Sequence, residues 1–328
     1  MSELNQVVTG EDGLICAYEL KSSSSPLLSL TEVEQLSEDA KVWIHLDRTH
    51  PGTRVWLNEQ SGLPENLVNS LLKNEVRPRF SELANGQALF VIRAINVNTG
   101  DRPEDMVSIR IWSDGRRIIS LRNQPLMAAQ EIRSALEQGT GPDNVAGFLQ
   151  RLHKLIDGRI ENLVYKLNSQ LEELEDDYQD KGEINDPAVN EMSSIAMKLR
   201  RHLVAQRDSM IRVRESSMQW LVSESVYWRE LYHSYMIYVD ELGDIVDRCK
   251  TLKDARIEGL IENSNRTSYL LTIVAAIFLP LGFITGLLGI NVGGMPGVDS
   301  EWAFAIVCLI IVLIGVLEYF YFKTKKWL

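Results

Sequence analysis

The sequence is poor in the residues that grip metals tightly or bridge chains covalently. Three cysteines (Cys16, Cys249, Cys308) stand far apart with no C-x-x-C pair, and His45, His50, His153, His202 and His233 fall at no metal-ligand spacing. That excludes a disulfide framework or a zinc finger and points to a reducing, cytosolic side. A Gly-rich phosphate loop, an H-E-x-x-H motif and a nucleophile elbow are all missing, so neither an enzyme nor a prosthetic group is expected. Basic residues are also in deficit: 34 against 45 acidic ones give a formal charge of -11, with no basic patch. Such a chain repels phosphate backbones and attracts cations, so nucleic acid is not an expected partner.

Charge disappears altogether from two stretches near the C-terminus. Residues 269–290 form a run of 22 without a charge, and residues 302–317 add another 16. Beyond residue 262 only four basic and three acidic residues remain, which leaves -12 for residues 1–262. Each run can cross roughly 30 Å of hydrocarbon as a helix, which predicts spans over about 269–290 and 302–322. Lys250, Lys253, Arg256 and Arg266 precede the first span and Lys323, Lys325 and Lys326 follow the second, whereas the connecting loop has no basic residue. By the positive-inside tendency both termini are cytoplasmic. The N-terminus lacks the basic and apolar regions of a cleaved signal peptide.

The polar body reads in parts. Residues 1–142 hold β-branched runs at 14–20, 42–46, 88–95, 106–112 and 117–121, with helical windows near 64–73 and 124–137. They predict an α+β domain with a mixed or antiparallel sheet, its last three strands a meander. Residues 143–222 predict an antiparallel helical hairpin, with Asp186 as N-cap and Pro187 at N1 of the second helix. Its acidic stretch at 171–183 reads as a solvated face or a cation-attracting collar, with no specific site. Residues 223–268 form a stalk helix that continues without interruption into the membrane domain, 269–328. Leu231, Tyr235, Tyr238, Leu242, Ile245, Cys249 and Leu252 recur at spacings of four and three, a seam for neighbouring helices of either the same chain or another.

A second stripe on this helix bears on function. Asp240, Asp244, Asp247, Thr251, Asp254, Glu258, Ile261, Asn265, Ser268, Thr272, Ala275, Leu279, Gly282 and Gly286 follow one another at alternating spacings of four and three. One face is therefore acidic in the cytosol and small or polar in the membrane, where Ser and Thr seek hydrogen-bond partners. Repeated around an axis it would line a pore, with Ile273 turned to lipid. The competing reading is a small-xxx-small packing motif at Gly282 and Gly286 beneath an ordinary solvated face. Two helices enclose no lumen, so transport requires oligomers. Five first-span helices at about 9 Å spacing leave an opening of roughly 2 to 3 Å radius.

The end of the first span, FLPLGFITGLLGIN followed by VGGMP (278–296), resembles the CorA superfamily of divalent-cation channels and transporters, whose first span ends in a Gly-Met-Asn signature. The signature here is Gly289-Ile290-Asn291. Leu287-Leu288 in place of an aromatic residue, and Gly297 after Met295-Pro296, resemble the zinc-transport branch, as do RPRF (77–80) and the terminal KKWL. The resemblance implies a homopentameric funnel in the bacterial inner membrane, with divalent cations as cargo, the first span lining the pore and the second packed outside. Zn²⁺ is the implied ion, and Mg²⁺, with Co²⁺ or Ni²⁺, is the alternative. Gly289, Ile290 and Asn291 would form the outer mouth. The residues 265–286 of the stripe would line the pore, and its acids would form the cytosolic funnel. Glycines at 289, 293, 294 and 297 would let the chain leave the helix through positive φ. A membrane-anchored scaffold or signalling protein is the other class, one that needs neither stripe nor mouth.

Overall fold

A computed structural model describes residues 10, 12–21, 23–74, 77–182, 184–223, 225–290 and 300–325. Six strands, β1 (Leu14–Glu19), β2 (Val42–Asp47), β3 (Arg79–Glu82), β4 (Ala88–Ala94), β5 (Val107–Ser113) and β6 (Arg117–Arg122), form one sheet of order β1-β2-β6-β5-β4-β3. Among the described residues only the β2–β6 pairing is parallel, so the sheet is mixed. The predicted β4-β5-β6 meander is present. Its β5–β6 turn rests on Gly115 at φ 87°, where a Cβ would stand 2.8 Å from Trp220 Cδ1.

Alternation along the strands sends apolar side chains to both faces, and helices bury both. On one face Ile44, Leu46, Trp112, Ile119 and Leu121 pack with Leu30 of α1 (Leu30–Glu34) and with α2 (Pro51–Glu59) and α3 (Glu65–Leu72). On the other, Phe90, Ile109, Ile111 and Ile118 pack with α4 (Met127–Glu137) and α5 (Val145–Lys181). The last carbonyls of α3, which have no helical donors of their own, are met by two arginines. Arg110 donates to Leu71 O and Asn74 O, and Arg48 donates to Leu72 O at 2.8 Å.

The hairpin consists of α5 and α6 (Asp186–Arg214). Gly182, in the left-handed region at φ 67°, closes α5. The N-cap of α6 is Asn185, whose side chain accepts from Ala188 N at 3.3 Å, so the cap lies one residue before the predicted one and Asp186 is the first helical residue. After α7 (Gln219–Val222) comes α8 (Ser225–Leu288), continuous through Pro280, and then α9 (Ala303–Thr324). All seven residues of the first seam are buried in one cluster with Ile156, Ile160, Val164, Leu167 and Leu171 of α5 and Leu199 and Leu203 of α6. That seam therefore holds α8 to its own hairpin, at about 2 kcal/mol for each large apolar side chain removed from water. An Arg248–Glu175 fork adds a charged tie between α8 and α5. The chain divides into two compact units, Met1–Lys253 and Asp254–Leu328.

Candidate functional site

Helices α8 and α9 are both long and apolar enough to cross a membrane, with mean hydropathy of 2.3 and 2.7 in their most apolar windows. Only 6% of the first window and none of the second is buried, whereas a core helix of a soluble domain would be mostly buried. So much exposed apolar surface needs lipid or further copies of the chain.

Within α8 the stripe falls on exposed positions throughout its length. Asp240, Asp244, Asp247, Asp254 and Glu258 are exposed, and none forms an ion pair among the described residues. Asn265, Ser268, Thr272, Ala275, Leu279, Gly282 and Gly286 are exposed as well, Leu279 by 76%. The neighbouring face differs. Ile273 is 7% exposed and Phe322 of α9 is 6% exposed, and with Tyr269, Thr272 and Ala276 they line one small cavity. At about 100° per residue, the face centred on 269, 273 and 276 lies roughly 90° around the helix from the middle of the stripe, with Thr272 on the border. The second span thus packs beside the stripe and leaves it bare. Ile273, predicted to face lipid, is instead packed toward α9. Nothing in the spacing of α8 alone identified this contact, because Phe322 supplies the other half.

Two further expectations change. Thr272 donates its hydroxyl proton to Ser268 O at 2.8 Å, and Thr285 donates to Gly282 O at 3.1 Å, so these hydroxyls need no partner on another helix. What they offer outward is lone pairs. Gly289 N–H donates to Thr285 O at 2.9 Å and to Gly286 O at 3.2 Å, closing the last turn without a positive φ. The predicted left-handed exit is therefore not made at Gly289. Ile290 is exposed beside it. Asn291, Gly293, Gly294, Met295, Pro296 and Gly297 lie outside the described residues. Pro280 has no N–H, which leaves the Ala276 carbonyl without its helical donor on the side facing α9.

Among the described residues no group of three or more His, Cys, Asp or Glu side chains is placed to hold a metal ion. The histidines have other surroundings. His45 is buried and shares a 2.8 Å hydrogen bond with Ser120 Oγ, while burial and Arg122 push it down to about 3. His153 is pushed to about 3 by burial alone. Along α8 the described residues offer surfaces and carbonyls rather than a cage of such side chains.

Residues 38–325 match the family described as CorA-like Mg²⁺ transporter protein. The chain belongs to this family. The divalent cation transporter CmaX of Pseudomonas aeruginosa is 35% identical over 300 residues, covering 90% of each chain. The zinc transport protein ZntB of Vibrio parahaemolyticus is 35% identical over 289 residues, covering 86% of this chain and 87% of that one. The structure of full-length CmaX is similar with a TM-score of 0.86 at 32% identity, covering 98% of this chain and 100% of that one. The CorA-family chain is thus a divalent cation transporter with two candidate membrane helices, and its family is one of transporters rather than enzymes.

Proposed function

We propose that this CorA-family chain assembles as a homopentamer and passes Zn²⁺ across the cytoplasmic membrane through a pore lined by the stripe of α8. The observation that carries the reading is the bare face from Ser268 to Gly286, which lies beside the surface packed toward Phe322. In a five-fold ring that face turns to the axis, and α9 stays outside it. Residues 1–142 and the hairpin 143–222 then form the cytoplasmic body, 223–268 the stalk and 269–328 the membrane domain, with both termini in the cytosol. Gly289, Ile290 and Asn291 form the outer mouth, where five Asn291 amide oxygens accept hydrogen bonds from the water shell of the ion. Asp240, Asp244, Asp247, Asp254 and Glu258 concentrate cations at the cytosolic end.

Zinc is supported by relatives named for zinc transport. Mg²⁺ is the second reading, favoured by the lack of Cys or His along the stripe, since a cation that keeps its water suits amide and hydroxyl oxygens. Flux into proteoliposomes distinguishes them. Zn²⁺ uptake exceeding Mg²⁺, Co²⁺ and Ni²⁺ uptake at equal gradients supports the first reading. Mg²⁺ uptake without Zn²⁺ uptake overturns it.

A further inference from the structure

Beneath the α5–α8 contact lies a group of polar side chains that the transport reading does not use. His153 and Asp157 are one turn apart on α5, so they share a face. His153 is fully buried, and among the described residues neither of its ring nitrogens has a partner and the buried Asp157 Oδ1 has none either. The imidazole instead meets the Trp228 ring edge-on, with centroids 5.3 Å apart. Facing them from α8 are Tyr227, Tyr235 and Tyr238. Tyr227 donates to Gln150 O at 3.1 Å, and Tyr238 hydrogen-bonds the Asp157 carboxyl. From α6 the neighbour is neutral: Gln206 donates to Tyr235 Oη at 2.8 Å. Gln206 also accepts from Arg93 N at 2.8 Å and donates to Arg93 O at 3.2 Å, which ties the cluster to strand β4.

Among the described residues no cation acts on this carboxyl. The charged groups acting on Asp157 are Glu161, on its own helix, and Tyr227, Tyr235 and Tyr238 if they ionise. His153 stays neutral in the physiological range. The ionised carboxylate thus has one tyrosine donor and a buried second oxygen with nothing to bond, whereas the neutral acid removes the uncompensated charge.

We propose that Asp157 is a proton-binding site through which cytosolic acidification tightens the packing of α5 on α8, the helix that continues into the first span. Burial raises the carboxyl to about 6 from its ordinary 3.8, with Glu161 adding to the rise and the Tyr238 hydrogen bond opposing it. Between those two values the folded chain holds a proton that the unfolded chain has released. Stability therefore falls as pH rises from about 3.8 to about 6 and stays lowered above that. Tightening raises the order of α8 where Trp228, Leu231 and Tyr235 pack.

The test compares full-length wild type with Asp157→Asn, Tyr238→Phe and Glu161→Gln by thermal unfolding from pH 5 to pH 8, read by tryptophan fluorescence. Asp157→Asn should have the higher Tm at pH 8, with the gap to wild type closing as pH approaches 5. Tyr238→Phe keeps the acid and removes its donor, so its pH transition should move alkaline. Glu161→Gln changes an exposed charge one turn away, so it should keep a transition, displaced slightly toward acid. An Asn variant that tracks wild type across the range, or a Tyr238→Phe variant with an unmoved midpoint, overturns the proposal. Flux with the cytosolic face at pH 6.0 and at 7.5 gives the second readout. Wild type should change its rate between the two, and Asp157→Asn should not; equal ratios in the two proteins refute the coupling. The Tm readout does not depend on which ion is carried or on how many chains enclose it.

Discussion

Cysteines placed one at a time at two positions of the first span, two residues apart, separate a pore-lining face from its opposite with little ambiguity. Positions 275 and 277 differ by about 200° around an α-helix, so Ala275 and Ile277 lie on nearly opposite sides of α8. With five first-span helices about 9 Å apart, each axis lies about 8 Å from the centre of the ring. A Cβ about 3.3 Å from its helix axis is then about 5 Å from its neighbour's counterpart when it points inward, and about 13 Å when it points outward. A disulfide needs roughly 3.5–4.5 Å between Cβ atoms, which thermal motion reaches from the first separation and not from the second. Cys308 is exposed on α9 and must first be changed to serine, whereas Cys16 and Cys249 are buried. After mild oxidation in membranes, Ala275→Cys should run as covalent dimers and higher ladders, and Ile277→Cys as monomer. Ile273 is less suited as the outward control, since its side chain is buried beside Phe322, whereas Ile277 is only half-buried and leaves a cysteine open to the oxidant. Equal ladders at 275 and 277, or a ladder at 277 alone, would refute the orientation assigned to the stripe.

Other measurements address separate parts of the proposal. Changing Asp240, Asp244, Asp247, Asp254 and Glu258 together to Asn or Gln should reduce flux several-fold at about 10 mM salt and much less at 1 M, where the screening length shrinks from roughly 30 Å to roughly 3 Å; a salt-independent effect would return them to an ordinary solvated face. In the proposed pentamer Asn291→Ala would remove five acceptors worth about 1 kcal/mol each, so flux should drop at least about tenfold while the oligomer survives in mild detergent. Retained flux and ion preference would remove Asn291 from the mouth. Gln206→Ala removes the side chain that bonds Arg93 N–H and C=O, at about 1 kcal/mol for each hydrogen bond lost. Hydrogen exchange at Arg93 should therefore accelerate at least about tenfold, and unchanged protection would contradict the bonding described.

Much of this architecture was legible because long periodic patterns integrate many residues. The 4-3 seam from Leu231 to Leu252, the paired apolar runs and the β4-β5-β6 meander each repeat a signal often enough to outweigh local exceptions. Elements decided by a single residue were not. Strand β3 has one buried residue, Phe80, in four, and its pairing with β4 comes from register across a turn rather than from its own alternation. Helix α2 begins at a proline after His50, whose ring accepts from Gly52 N, a cap type outside the usual Ser, Thr, Asp and Asn. The spacing also left open which partner the seam met, and the answer, its own hairpin, depends on residues of α5 and α6 far away along the chain. For the site, periodicity gave the exposed face of α8, but the face beside it depended on Phe322, and the hydroxyl bonds of Thr272 and Thr285 are rotamer choices that spacing does not encode.

Those rotamer choices bear on how an ion would be handled. A hydroxyl that donates back to its own helix presents only lone pairs outward, so in the proposed pore a ring of Thr272 side chains would be an acceptor ring suited to cations. About two turns further along the helix, Leu279 offers no polar atom, and its 76% exposure puts a wide apolar surface on the same face. Oxygen acceptors followed by an apolar ring favour a cation that keeps its water, because stripping that shell at Leu279 would find no replacement ligand. A cation bound directly by Thr272 would have to exchange its shell twice, whereas a hydrated one crosses the apolar ring intact. Leu279→Ser therefore separates the two modes. It should raise flux of hydrated ions by lowering the apolar barrier while leaving their order of preference unchanged. A reordered preference, with the oligomer intact, would show that the ion is stripped within the stripe rather than sorted at its outer end.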